Sequence, residues 1–149
     1  MRIAVDTAIL IRGNARATGP AKDLLKAIPD SGSRLVISPY LLAEVDRVLR
    51  YARIQALYQL TDADIQRYLR LLESIADIVD PAEGPPIILK DPNDDPVVYT
   101  AVAGQADILC TVDKHFYEPN VLSFCARNGI RLMGDVELLH FLRKLIPGS

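Results

Sequence analysis

Short apolar, β-branched runs alternate with longer stretches of helical period along the 149-residue chain. Strands separated by helix-length segments do not pair as hairpins; they pair in parallel, with the intervening helices laid over the faces of the sheet. Arg2–Val5 reads as a first strand, Leu35–Ile37 as a second, and Ile108–Thr111 and Ile130–Met133 as later ones, with a strand end at Ile78–Val79. A helix is predicted over Ala21–Ile28, entered at Gly19-Pro20 and ended by Pro29-Asp30-Ser31-Gly32. Ser38 as N-cap and Pro39 in the first turn start another, which should run to about Arg53. Thr61–Ala76 follows, with Thr61 as cap and Asp64 at the capping-box position. Further helices should run from Asp95-Pro96 to about Gly104, over Val121–Asn128, and over Val136–Leu145. The proline-rich stretch Pro81–Pro86 must be loop, and is too short to divide two domains. The expectation is one three-layer α/β/α domain over residues 1–149, with a central parallel sheet of about four or five strands.

Composition closes several other classes. Net charge is −2, so bulk charge does not advertise nucleic acid; yet 12 of the 17 basic residues are Arg, the better fork for phosphate. No apolar run approaches the roughly 18 residues that cross a membrane, and a carboxylate at Asp6 comes too early for a signal peptide. Cys110 and Cys125 build neither a disulfide framework nor a zinc site. A cytoplasmic location is the expectation.

With 14 Asp and five Glu, position must decide which acids matter. Asp6 ends the first strand and Asp113 lies just after Ile108–Thr111, so parallel strands deliver both to the carboxyl edge, where open α/β sheets bind ligands. Asp107 precedes the same strand, roughly 13 Å or more away at the other edge, and reads as structural. Glu44 sits about 40° from Val48, at the border of the stripe formed by Leu41, Leu42, Val45, Val48 and Leu49. Helix geometry alone leaves it either a received acid at the core border or a snorkelling surface Glu. In Asp91-Pro92-Asn93-Asp94-Asp95-Pro96, one Asp before Pro suffices to cap a helix, which leaves another free for the sheet edge. Acids converging without a Lys suit a hard divalent cation such as magnesium or manganese.

Asp6-Thr7 after an apolar strand, Glu44 on a helix after Ser38-Pro39, the Asp91–Pro96 run, and Ala106–Asp113 together resemble PIN-domain nucleases, closest to the VapC-like ribonuclease toxins of bacterial toxin–antitoxin systems. The likeness runs from Met1 to about Asp135 and rests on four acids in order and spacing. It implies a PIN-like fold and a Mg²⁺- or Mn²⁺-dependent endoribonuclease that hydrolyses RNA phosphodiester bonds, leaving a 5′-phosphate and a 3′-hydroxyl. It also implies a homodimer and a cognate antitoxin protein as partner. Asp6, Glu44, Asp95 and Asp113 match the family's catalytic and metal-holding acids. Thr7 and Thr111 match its hydroxyl residues, and Asp94 is a supporting rim acid. The family's frequent Asn after Thr7 is Ala8 here, which removes one possible donor.

Arg47, Arg50 and Arg53 recur along the wet side of the Glu44 helix, and Arg12 and Arg16 follow the first strand. A solvated face explains such residues, while a phosphate-binding rim for RNA is the sharper reading for Arg12, Arg47 and Arg50. Tyr40, Tyr51 and Tyr58 can stack on bases or simply pack. His115 reads as incidental and Cys110 as a small buried hydrophobe, while Leu138, Leu139, Phe141, Leu142 and Leu145 form a core or dimer stripe. Two alternatives stand beside the nuclease. One is a catalytically weak PIN-like domain that binds RNA or a protein. The other is a receiver-like Mg-binding module, which wants paired acids after the first strand and a Lys after Ile130–Met133, and finds neither.

Overall fold

The computed structural model describes residues 1–81 and 95–148. Five strands form one parallel sheet: β1 (Arg2–Val5), β2 (Arg34–Ile37), β3 (Ala76–Ile78), β4 (Ile108–Cys110) and β5 (Arg131–Met133), in the order β3-β2-β1-β4-β5. Among the described residues the helices are α1 (Thr7–Arg12), α2 (Pro20–Asp30), α3 (Pro39–Leu49), α4 (Ala52–Tyr58), α5 (Asp62–Ile75), α6 (Asp95–Ala103), α7 (Pro119–Arg127) and α8 (Asp135–Arg143), with a turn of 3-10 helix at Lys114–Tyr117.

Burial explains the layering. In β1, β2 and β4 the residues Ile3–Val5, Leu35–Ile37 and Ile108–Cys110 are each at most 3% exposed, so both faces of the sheet's centre are covered. The path from β1 to β2 to β3 moves one way along the sheet and that from β4 to β5 the other. Right-handed crossovers then place their helices on opposite faces. Two packings agree with this: α2 lies against α8, and α6 meets α7 through an edge-to-face Tyr99–Phe124 pair with centroids 6.5 Å apart. The C-terminal end of α6 presses on β2 so closely that a Cβ on Gly104 would come within 2.0 Å of Val36 Cγ1.

The amino edge of the sheet is closed by charge. Arg2 and Arg34 are direct neighbours across β1 and β2, a repulsive placement relieved by Asp77, which receives both guanidinium groups. Asp107, at this same edge, accepts the Arg2 amide at 2.9 Å, the structural role expected of it.

Several helix boundaries differ from the sequence reading. Helix α1 was not anticipated: six residues are too few to show a period. Helix α2 runs through Pro29 to Asp30, because a proline in a last turn forfeits a single backbone bond and Ser31 still donates to the Ala27 carbonyl. The helix expected to continue to Arg53 stops at Leu49, where its buried stripe ends. Tyr51 turns extended, and α4 restarts at Ala52 with no fully buried residue. Strand β3 begins upstream of the expected Ile78–Val79, although the Val79 amide continues its ladder to the Ile37 carbonyl. The Thr61–Asp64 capping box forms as expected. The proline-rich loop beyond Pro81 and the acids Asp91 and Asp94 lie outside the described residues.

Candidate active site

The chain leaves β1 in one direction along the sheet and leaves β4 in the other, so a crevice opens between the carboxyl ends of these two neighbours. Asp6 and Thr111 stand there, each one residue past its strand. Each still makes one ladder bond, Asp6 N–H to the Cys110 carbonyl and Thr111 N–H to the Met133 carbonyl, both 2.9 Å. Asp6 is 6% exposed and Thr111 fully buried, so their side chains must satisfy one another. The Thr111 hydroxyl donates to Asp6 Oδ2 at 2.8 Å and accepts the Asp113 amide at 3.1 Å.

Burial raises the Asp6 carboxyl above its ordinary range, and the nearby charge of Asp113 raises it further. The Thr111 hydrogen bond and the amides of Ala8 and Thr7, at the start of α1, act the other way. Asp113 Oδ1 accepts the His115 amide at 2.9 Å, and the His115 ring lies 3.7 Å from the same oxygen, so His115 is a neighbour of the site rather than incidental. Thr7 contributes a buried hydroxyl oxygen that has no hydrogen-bond partner among the described residues.

Glu44 is half-buried on α3, at the border of the apolar stripe as its helical angle requires. Asp95 is buried as the first residue of α6, and its charge bears on Tyr99 one turn later. The start of α3 is tied to the middle of α6, where Thr100 Oγ1 lies 3.0 Å from Ser38 Oγ, which caps α3. Among the described residues no three Asp, Glu, His or Cys side chains converge closely enough to form a ready-made metal cage. What the structure joins directly is Asp6, Thr111 and Asp113.

Of the basic residues, Arg50 is held by Asp46, at 2.7 Å, and by Asp62. Arg47 bonds the Tyr51 hydroxyl, with its guanidinium 5.6 Å from that ring's centroid. Arg12 makes one loose ion pair, 3.7 Å to Asp135, and remains half exposed. The sequence reading missed Asp135. It is 8% exposed and lies two residues past β5; its charge and that of Asp6 add to the burial that pushes the Cys110 thiol up to about 12. The signal was the one that picked out Asp6 and Asp113, an acid just beyond a strand's carboxyl end. Tyr117, whose hydroxyl donates to the Thr111 carbonyl at 2.7 Å, had no such signal.

A divalent cation fits these residues in two respects. Buried Asp6 and partly exposed Asp113 carry like charges that a cation would reconcile, and Thr7 Oγ1 is a buried oxygen with no partner among the described residues. Fold and site together define an α/β protein with an all-oxygen acidic centre at its switch point. The chain belongs to the PIN-domain family, whose model matches residues 2–115, a stretch that holds Asp6, Glu44, Asp95 and Asp113. PIN domains are in general nucleases. No curated protein and no solved structure matches the chain. No helix among the described residues is long and apolar enough to cross a membrane.

Proposed function

We propose that this PIN domain is a Mg²⁺- or Mn²⁺-dependent endoribonuclease that hydrolyses RNA phosphodiester bonds. The observation that carries the reading is the buried Asp6 carboxylate, linked through the Thr111 hydroxyl to Asp113 at the switch point. Asp6 and Asp113 would hold the ion, with Asp95 reaching it from the start of α6 and Glu44 from the middle of α3. When bound, such an ion polarises a phosphoryl oxygen and lowers the pKa of its water. The chain's own contribution is to fix these oxygens through the Thr111 hydrogen bonds. Among the described residues Arg12 makes only a 3.7 Å ion pair with Asp135, which makes its guanidinium the natural contact for an RNA phosphate.

By its resemblance to the VapC-like branch, the domain would serve as the toxin of a toxin–antitoxin pair, active as a homodimer and silenced by a protein antitoxin. Growth arrest on expression in bacteria, lost in Asp6→Asn, tests that role. The chemistry is tested by incubating single-stranded RNA with the protein in Mn²⁺ and in EDTA. Cleavage only in Mn²⁺, lost in both Asp6→Asn and Asp95→Asn, is expected; full activity in either variant would refute the assignment.

A second reading, a PIN domain that binds RNA without cutting it, is favoured by one observation. Among the described residues no three Asp, Glu, His or Cys side chains form a group that could hold a metal ion. RNA binding without cleavage in any divalent ion would establish it.

A further inference from the structure

We propose that Tyr117 is a positioning residue whose hydroxyl, acting through Thr111, fixes the placement of Asp113 beside Asp6. The inference rests on the reading of this pair as metal-holding. The Thr111 carbonyl can only accept, so the 2.7 Å contact places the phenolic proton between Tyr117 and Thr111. Thr111 N–H is already anchored to β5 through the Met133 carbonyl, and its hydroxyl is committed to Asp6 and to the Asp113 amide. Tyr117 therefore takes the remaining polar group of the one residue that joins the two acids.

The contact also closes a ring. Asp113 Oδ1 accepts the His115 amide and starts the turn Lys114–Tyr117, and that turn returns the Tyr117 hydroxyl to Thr111. Phe116, fully buried, anchors the turn in the core, and its amide donates to the Asp113 carbonyl at 3.1 Å. Val112, the residue between Thr111 and Asp113, is 54% exposed and supplies little packing to hold the segment in place. Beyond buried Thr111, hydrogen bonds carry the Thr111–Asp113 geometry, and Tyr117 reaches it from outside the segment. It is also outside the stretch matched by the family model, which ends at residue 115.

Tyr117→Phe keeps the ring and removes only the hydroxyl. Mn²⁺ affinity is measured by titration calorimetry, and exchange of the Asp113 and His115 amides by NMR in metal-free protein. Affinity should fall roughly tenfold, the low end of what loss of an outer hydrogen-bond partner costs a metal site. Exchange at Asp113 should quicken roughly fivefold, as the loss of one ordinary hydrogen bond allows. The thermal midpoint should barely move. Where the wild type binds Mn²⁺, an unchanged affinity or unchanged Asp113 exchange in the variant overturns the proposal, and a lowered midpoint with both unchanged marks Tyr117 as merely structural. If the wild type binds no Mn²⁺, the metal reading falls by itself. The Asp113 exchange rate then decides alone whether Tyr117 fixes that segment.

Discussion

The Thr111 hydroxyl donates to Asp6 Oδ2 over 2.8 Å, joining residues 105 positions apart at the carboxyl ends of adjacent strands. Thr111→Val keeps the shape and removes the donor. The buried Asp6 oxygen then loses its partner, which costs about 1–3 kcal/mol of stability at neutral pH. Urea denaturation should show this, together with an Asp6 carboxyl displaced further upward in carboxylate NMR, since the strongest of the hydrogen bonds holding it down is gone.

Asp6→Asn acts in the opposite sense on the metal-free protein. It removes a buried charge that faces Asp113, so thermal stability in EDTA should be equal to or above that of the wild type. A cation that binds only the folded wild type at a hundred times its Kd adds about 2.7 kcal/mol. Millimolar Mn²⁺ should therefore raise the wild-type melting temperature and leave the variant where it was. A parallel rise in both would remove Asp6 from the ion's ligands.

Asp64 supplies the pH dependence. The Thr61 amide, then Arg16, hold its carboxyl well below the usual carboxylate range, with Arg67 adding to the effect. A folded pKa below the unfolded one means stability that is fully present above the unfolded value, near 3.9, and is lost as pH falls toward the folded value. The wild type should be more stable than Asp64→Asn at neutral pH, and the gap should narrow below about pH 4. A gap constant down to pH 2.5 would contradict the assignment.

The arginines separate by what already holds them. Arg50 is engaged by two carboxylates and Arg12 by one distant one. Arg12→Ala should weaken single-stranded RNA binding and lower the slope of log affinity against log salt by about 0.7. Arg50→Ala should leave both nearly unchanged. Equal effects would return the two residues to a diffuse basic surface.

The alternation of strand and helix made the sheet legible from the sequence, because β1, β2 and β4 are buried on both faces and must read as unbroken apolar runs. Asp6 and Asp113 were legible for the same reason, each standing where such a run stops. What escaped was decided by tertiary partners. No proline, glycine or cap residue marks the helix end at Leu49; Arg50 there pairs with Asp46 and with Asp62 of α5, and Tyr51 turns extended. Tyr117 matters through a carbonyl six residues back, a group every residue has, so its side chain carries no pattern.

Gly104 and Asp95 stand at the two ends of α6, a rod of nine residues about 13.5 Å long. One end bears on Val36 and is gripped by Arg2 at the amino edge of the sheet; the other carries an acid of the candidate site. The helix is a lever with its fulcrum at the glycine. A methyl carbon added there would lie 2.0 Å from Val36 Cγ1, so either Val36 or the helix end would have to shift. The smallest residue in this part of the chain thus sets how closely the helix that carries Asp95 can seat on β2, and a side chain at position 104 would be felt along that helix as well as at Val36.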